Sequence, residues 1–402
     1  MPKVSRIKIQ FYLIEALIIF LPFSSWLVSL TGQPTISLIR DILVFSLFLV
    51  SIPDYKIRNL KKLHPTLILL FILFVFLSYF WTEAGPFQWL RGVRFWLTPL
   101  LLLLTTILID FKLEQIQKFV RTIIYVSVII TGFAILEPVG VKLSTVSILS
   151  GAGSLESVNL VGALKINRLE SILAGPNALG LYLLVIISVL LGWQGEIKHY
   201  KLILFFSALI LILTFSRSAW IGLIVLLLNL AIIKYKLSFV KISYLVILLV
   251  VLVSGTFYIS KKSQTLSQIF NHGLSTDMRL EQYNRIVEEK FEIGLLGRGA
   301  GAAGPSTQNR LDTGSNYWTE NTYLDTFEEF GLIGLLLFLT IVIVWWRQHL
   351  LHIQDDQDPG LRTAHLALPS FLIAGFFINF FTGQVAVFMF FLTIGLTKAK
   401  LK

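Results

Sequence analysis

Residues 202–233 read LILFFSALILILTFSRSAWIGLIVLLLNLAII, and Arg217 is the only charged residue among them. A membrane span needs about 20 mainly apolar residues. This stretch therefore predicts two spans, at 200–215 and 217–234, with Arg217 between them. An Arg at the edge of the hydrocarbon is costly unless it has a partner or a water-filled cavity. Arg217 therefore either extends to the lipid headgroups or binds an anion in an external cavity.

The apolar character extends over the whole chain of 402 residues, of which 55% are hydrophobic and 14% are charged. The mean hydropathy is +0.77. A soluble domain carries about 25% charged residues, so this chain has too little charge to solvate a globular surface. The composition excludes a cytosolic enzyme, a DNA-binding module and a secreted scaffold. Because the sequence contains no Cys, it also excludes thiol catalysis, disulfides and Cys-ligated zinc.

Long apolar runs separated by short charged stretches indicate an all-α, polytopic integral membrane protein. Backbone groups in lipid must bond internally, and the runs are too long and too uniformly apolar for alternating barrel strands. The predicted transmembrane helices, about 12 in number, are 11–30, 36–52, 65–81, 93–110, 117–137, 176–193, 200–215, 217–234, 240–259, 322–346, 364–380 and 384–397. A large extracytoplasmic loop, 260–321, is predicted between the ninth and the tenth.

The distribution of Lys and Arg predicts the orientation of these spans. Most of the 34 basic residues fall in the two termini and in alternate short loops, and short basic loops face the cytoplasm. Both termini are therefore predicted to be cytoplasmic. The two long connections, 138–175 and 260–321, then lie outside, and loops of this length are usually functional. We expect any chemistry to be extracytoplasmic.

Three regions follow from these boundaries. Residues 1–164 contain the N-terminal membrane helices and most of the first long outer loop. Residues 165–346 form the central region, which includes the large outer loop. Residues 347–402 contain a cytoplasmic loop and the last two membrane helices.

Polar motifs concentrate on the predicted outer side. Arg168 precedes the turn Gly175-Pro-Asn177, which is ordinary chemistry for the start of a helix. Arg279 and Arg285 lie in the large outer loop, where residues 279–291 have the pattern of an amphipathic helix on the membrane surface.

The segment 318–325, WTENTYLD, leads into the tenth predicted span. Most of the polar residues in this segment have a structural explanation: Thr319 or Asn321 caps the helix, and acidic residues in its first turns complement the helix dipole. This explanation does not account for Glu320, which precedes the helix at the membrane edge and follows a loop rich in Arg. Glu320 is therefore a candidate functional residue.

Two further motifs match known sequence patterns in residue type but lack the structural context that those patterns require. Gly299-Ala-Gly301-Ala-Ala-Gly304 fits G-x-G-x-x-G, but that motif binds a dinucleotide only between a strand and a helix, so we interpret it as a flexible loop. Asp356-Gln-Asp358 is similar to the metal-binding D-x-D of soluble glycosyltransferases. It falls in a short cytoplasmic connection with no room for a nucleotide-binding domain. We predict neither a cofactor nor a metal.

Four motifs occur in a fixed order along the chain. They are Arg168…Gly175-Pro-Asn177-Ala-Leu-Gly180, Thr214-Phe-Ser216-Arg217-Ser-Ala-Trp220, Arg279…Gly297-Arg-Gly299 and Glu320-Asn-Thr-Tyr-Leu324…Gly331-Leu-Ile-Gly334. Together they resemble the O-antigen ligase and O-antigen polymerase superfamily of bacterial envelope proteins. The resemblance covers roughly 165–340, and the first five spans are similar in hydropathy alone.

The resemblance implies a multi-pass glycosyltransferase of the bacterial inner membrane. Such an enzyme takes a glycan from an undecaprenyl-diphosphate carrier on the outer face and transfers it to an acceptor sugar. In a polymerase the acceptor is another lipid-linked repeat unit, and a chain-length regulator would be a further partner; in a ligase it is the lipid A core. The resemblance implies Arg217 and Arg279 at the donor diphosphate and Glu320 near the acceptor. The further candidate substrate-binding residues are Arg168, Asn177, Asn321, Tyr323 and Arg285.

These residue types suit the implied chemistry. A guanidinium binds diphosphate oxygens bidentately and stays protonated, so two of them could replace a metal at the leaving group. Direct attack by an acceptor hydroxyl would invert the anomeric centre, and a carboxylate could take its proton. Ligases of this superfamily carry His where this chain has Glu320, a departure that favours a polymerase.

Three alternatives to a polymerase stay open. The first is the ligase itself. The second is a small-solute transporter, since the span number and cytoplasmic termini also suit carriers, although the sequence shows no repeated halves. The third is a structural partner in an envelope complex, against which only the combination of Arg and Glu residues argues.

Overall fold

The computed structural model describes residues 3–54, 63–109, 111–139, 157–159, 165–173, 175–235, 273–304, 319–351, 358–379 and 384–398. These residues are helical almost throughout, as predicted. The helices are α1 (Lys3–Thr31), α2 (Ser37–Ser51), α3 (Leu63–Leu77), α4 (Pro86–Leu108), α5 (Leu113–Leu136), α6 (Pro176–Gly192), α7 (Tyr200–Leu213), α8 (Arg217–Tyr235), α9 (Gly273–Ile293), α10 (Thr322–Leu351), α11 (Pro359–Ala374) and α12 (Gln384–Lys398).

Each predicted span within the described ranges coincides with one of these helices, and the predicted ninth span, 240–259, lies outside them. Five helical segments are long and apolar enough to cross a membrane: Arg6–Thr31, Pro86–Leu108, Leu113–Leu136, Arg217–Tyr235 and Thr322–Arg347. Four shorter segments are also apolar: Pro65–Phe80, Pro176–Gly192, Tyr200–Leu213 and Val385–Leu396. The chain is thus a multi-pass helical membrane protein, while the number twelve and the outer position of 260–321 stay predictions.

Helix α6 lies at the centre of the bundle. Nearly all its residues are buried, because it is apolar on every face and packs against α5, α7, α8, α11 and α12. Small residues bring its neighbours close. A Cβ added at Gly180 would lie 2.6 Å from the Cβ of Ala219, and one added at Gly222 would lie 2.6 Å from Leu184. Gly180 contacts Ala219, and Leu184, further along α6, contacts Gly222, further along α8. The two helices α6 and α8 therefore run parallel.

Helix α11 runs the opposite way. A Cβ added at Gly192, at the end of α6, would lie 2.0 Å from the hydroxyl of Thr363, near the start of α11. A Cβ added at Gly222 would lie 3.2 Å from the carbonyl oxygen of Ser370, near the end of α11. The start of α8, the start of α6 and the end of α11 therefore share one end of the bundle.

Two short strands lie in the first long connection, where we predicted none. Strand β1 (Ser157–Asn159) pairs antiparallel with β2 (Lys165–Asn167), with Val158 opposite Ile166. The hairpin leads directly into Arg168. Strands of three residues give too little periodicity for sequence patterning to detect.

Helix α10 is broken inside the predicted tenth span. Gly331 has φ 63° and ψ −164°, a conformation open to glycine, and the helix axis kinks there. The amide N–H groups of Leu332 and Ile333 donate to the carbonyl oxygens of Gly294 and Leu295 instead of to their own helix. The segment after α9 therefore occupies the break and fixes its geometry.

The conformation of the segment 294–304 explains why it contains the glycine motif that matched G-x-G-x-x-G. Gly299, Gly301 and Gly304 all have positive φ, and Gly301 approaches α4 so closely that a Cβ would lie 2.2 Å from the carbonyl oxygen of Gln88. The interpretation as a flexible loop was wrong. The glycines allow a buried connection to pass between the α3–α4 turn and α10.

Candidate functional site

Arg168 is held in place where β2 meets the bundle. Its side chain is only 7% exposed, its Nε donates to the carbonyl oxygen of Thr214 (2.9 Å), and its Nη2 donates to Oδ1 of Asn177 (3.1 Å). Thr214 ends α7 and Asn177 begins α6. Two of the predicted substrate-binding residues, Arg168 and Asn177, are therefore in direct contact, and the guanidinium joins the ends of two helices.

Arg217 is the half-buried first residue of α8. The turn before it is tight, since Phe215 has φ 51° and the indole N–H of Trp220 donates back to the carbonyl oxygen of Ile212 (3.1 Å). The positive charge of Arg168 is close enough to act on the Arg217 guanidinium. Two positive charges that act on each other favour the binding of an anion near them.

Helix starts add to this positive potential. Gly180, in the first turns of α6, packs against Ser216 and Ala219 at the start of α8. The N-terminal ends of both helices, with their positive dipole ends, are therefore neighbours near Arg168 and Arg217. The arrangement is suited to a multiply charged anion such as a diphosphate.

Asn321 caps α10, which confirms one of the two predicted caps. Its Oδ1 accepts from the backbone N–H groups of Tyr323 (2.9 Å) and Leu324 (3.1 Å). Its Nδ2 donates to the carbonyl oxygen of Phe376 (3.1 Å), just beyond α11. Glu320 is half-buried and lies one residue before this cap.

The α10 start and Arg217 lie at the same end of the bundle. Thr322 N–H donates to the carbonyl oxygen of Gly375 (2.9 Å) at the end of α11. Gly222 and Ser370 lie side by side in α8 and α11. Arg217 is five residues before Gly222, and Gly375 is five residues after Ser370. Because these two helices run in opposite directions, both steps lead about 7.5 Å toward the same end of the bundle. Arg217 and Gly375 are therefore at a similar level.

Helix α9 converges on the same place. The hydroxyl of Tyr283 donates to the carbonyl oxygen of Phe376 at 3.5 Å, the acceptor that Asn321 also uses. Arg279 lies one turn before Tyr283 in α9. The prediction of a helix over 279–291 is confirmed, and its position on the membrane surface stays a prediction. The backbone of α9 brings this part of the chain near the end of the bundle that holds Glu320.

The two remaining candidates bind other parts of the protein. Both terminal nitrogens of Arg285 donate to the carboxylate of Glu328, at 2.7 and 3.1 Å, and Nη1 also donates to Glu289 at 3.2 Å. The hydroxyl of Tyr323 donates to the carbonyl oxygen of Leu372 (2.7 Å). Their predicted roles in substrate binding stay predictions, and these contacts give each a part in joining α10 to its neighbours.

The helix dipole is an insufficient explanation for the acidic residues of α10. Glu328 is fully buried against Arg285, and Glu329 accepts from the indole N–H of Trp96 and from Gly301 N–H (2.9 Å). Asp325 accepts from the N–H and hydroxyl of Thr319 and from the Asn379 amide. Sequence reasoning missed these contacts, because each partner is remote in the chain or lies in a loop.

Arg298 was also missed, although it stands inside one of the quoted motifs. Its guanidinium donates to Glu83 (3.0 Å) and Glu289 (2.8 Å). Burial lowers the pKa of Arg298, but the hydrogen bond and charge of Glu83 together with the charges of Glu289 and Glu328 outweigh this effect and raise that pKa above its usual value. The ion pairs fasten the 294–304 segment to α9 and to the α3–α4 turn.

Asp358, from the D-x-D match, accepts from Gly360 N–H (2.8 Å) and caps α11. No group of three or more His, Asp and Glu side chains in the described part of the chain is arranged to hold a metal ion.

Residues 202–339 match the family model described as O-antigen ligase. The matched region begins in α7, contains Arg217, Arg279 and Glu320, and ends within α10. No individual protein of curated function matches the chain. The family match confirms the resemblance that the motifs indicated.

Proposed function

We propose that this protein polymerises lipid-linked repeat units on the outer face of the bacterial inner membrane, because residues 202–339 match the family model described as O-antigen ligase. The donor is a glycan on an undecaprenyl-diphosphate carrier, and the acceptor is a sugar of another such unit. The observation that carries the proposal is the buried Arg168, which is bonded to Thr214 and Asn177 where α6 and α8 begin and whose charge acts on Arg217 at the start of α8.

The pair has the chemistry that a diphosphate leaving group requires. As the glycosyl bond breaks, negative charge develops on the departing diphosphate, and preorganised guanidinium groups and helix N-termini stabilise it without reorganising. Arg168 is fixed by hydrogen bonds to Thr214 and Asn177, and its charge acts on the Arg217 guanidinium. Arg279 of α9 supplies a third cation in the proposal, and no metal ion is needed.

The proposed reaction is a single displacement. The acceptor hydroxyl oxygen attacks the anomeric carbon of the donor sugar, and the bond from that carbon to the diphosphate oxygen breaks. The lipid diphosphate leaves with the bonding electrons, and Glu320 takes the hydroxyl proton. One displacement inverts the anomeric centre. The position of Glu320 before the α10 cap, at the same end of the bundle as Arg217, supports this role.

Ligation to lipid A core is the second candidate, because the matching family model is described as O-antigen ligase. The two functions share the donor and the leaving group and differ in the acceptor. An assay of the purified protein distinguishes polymerisation from ligation, when one sample contains donor with lipid A core and the other contains donor alone. Lengthened lipid-linked glycan without core acceptor supports polymerisation, and product formed only with the core acceptor supports ligation.

The base is tested with Glu320→Gln, which keeps the shape and removes the proton acceptor. We expect turnover to fall by about 10² to 10⁴ while donor binding changes little. Glu288→Gln is the matched control, since Glu288 is exposed on α9 and loses the same charge. A folded Glu320→Gln variant with the turnover of the control would exclude Glu320 as the base. Partial recovery in Glu320→His, the residue found in ligases, would support it.

A further inference from the structure

A cavity lies at the end of the bundle opposite the candidate site. Its volume is about 620 Å³, and it is bordered by α6, α7, α8 and α11. Lys201, Lys234 and Arg362 line it together with apolar side chains that include Leu204, Ala208 and Leu230. The distribution of basic residues predicts that this end faces the cytoplasm.

The cavity exists because α7 and α8 meet closely at one end only. Trp220 and Ile212 close the outer turn between them, and the two helices make few further contacts. On the other side α6 and α11 are pressed together at Gly192 and Thr363. The cleft between α7 and α8 therefore opens toward the predicted cytoplasmic boundary, with a tightly packed wall behind it.

The charges of the cavity are of one sign. Lys201 lies in the first turn of α7, Lys234 in the last turn of α8 and Arg362 in the first turn of α11. No Asp or Glu lines the cavity, and none of the three cations forms an ion pair within the described ranges. The Nε of Arg362 is buried and has no hydrogen-bond partner there.

We infer that this cavity binds an anionic phospholipid of the inner leaflet. The headgroup phosphate would bind between the three cations, and the acyl chains would lie along the apolar side chains of α7 and α8. Basic pockets between membrane helices on the cytoplasmic side suit such headgroups. Cations that only determine the orientation of the spans need not line one cavity. These three come from three helices and line the same cavity, where no Asp or Glu of the described residues borders it. The inference does not rest on glycan transfer.

Native mass spectrometry of the delipidated full chain tests the site. We expect phosphatidylglycerol to bind in preference to phosphatidylethanolamine, with inorganic phosphate unable to compete because it lacks acyl chains. The combined change Lys201→Gln, Lys234→Gln and Arg362→Gln should weaken phosphatidylglycerol binding by about fivefold per cation, or about 10²-fold in total.

The matched control removes three cations from the same predicted side, outside the cavity. Lys8, Lys112 and Arg121 are all exposed, and their triple replacement by Gln should leave binding near wild type. Equal weakening in both triple variants would overturn the inference and reduce it to non-specific charge attraction. Equal binding of the two lipids by the wild-type chain would overturn it as well.

A second measurement avoids changing the cations. The chain has no Cys, so Ala208→Cys provides a single labelling position on the apolar wall. A fluorophore there should be quenched more strongly by brominated phosphatidylglycerol than by brominated phosphatidylethanolamine at equal mole fraction. Equal quenching, or a label shielded from both lipids by another part of the chain such as residues 240–259, would exclude the lipid site.

Discussion

The contact between Arg285 and Glu328 gives the sharpest stability prediction. Glu328 is fully buried, and its side chain accepts two hydrogen bonds from a guanidinium that is 21% exposed. Removing one partner of a buried pair costs about 3–5 kcal/mol, because the other charge stays buried without compensation. We expect Arg285→Met to cost about 3 kcal/mol, the lower end of that range, since Glu289 and water reach the exposed side of the pair.

The second partner makes the prediction testable as a cycle. Glu328→Gln in the Arg285→Met background removes the isolated charge, so the double variant should recover most of the lost stability. The four proteins are the wild type, Arg285→Met, Glu328→Gln and the double variant. Their melting temperatures in detergent, measured by size-exclusion chromatography of the fraction that survives heating, rank their stability. A double variant no more stable than Arg285→Met would refute the buried-charge explanation. A fall in glycan transfer per folded molecule in both variants that carry Arg285→Met would support the predicted role of Arg285 in substrate binding, and unchanged transfer would limit Arg285 to a role in stability.

Three further predictions concern the donor, the metal and the connection between α9 and α10. Arg217→Ala or Arg279→Ala should abolish transfer in protein that still accumulates, with Lys retaining little activity because it cannot bind bidentately; near-normal transfer in both Ala variants would remove the donor site. Purified protein should remain active in excess EDTA, and loss of activity restored by magnesium would show a metal requirement. Gly301→Ala should destabilise the fold by about 1–3 kcal/mol, because a Cβ would be strained at this positive φ and would collide with the Gln88 carbonyl oxygen. The control Gly195→Ala, where the space around the Cβ is open, should have the melting temperature of the wild type.

Much of the bundle was predictable because its helices are governed by one physical requirement. An apolar run in lipid must satisfy its own backbone, so hydropathy alone located α5, α6 and α8 within a few residues. The break at Gly331 was not predictable in the same way. Nothing in the apolar pattern of 322–346 shows that backbone from Gly294 and Leu295 replaces the local hydrogen bonds.

The candidate site was predictable in its residue types and only partly in their roles. Arg217 stood out because a charge at a membrane edge is costly, and Arg168 because it precedes the Gly-Pro-Asn turn in the first of the four motifs. In the structure the charge of Arg168 acts on Arg217. Arg285 stood out as a cation of the large outer loop, yet its guanidinium is bound to Glu328, a residue 43 positions away in the chain. Sequence identifies which charges need an explanation, but it cannot tell an internal partner from a substrate.

The contacts of the two close arginines give them different tasks. Arg168 is buried and uses Nε and Nη2 to bind Thr214 and Asn177, so its fork orients the ends of α7 and α6 before any donor arrives. Arg217 is half-buried at the start of α8, beside that fixed charge. A cation held rigidly near a second, more accessible one preorganises positive potential at the site and lowers the cost of binding an anion there. In the proposed reaction Arg168 is therefore a positioning residue, and Arg217 is the residue that meets the leaving diphosphate.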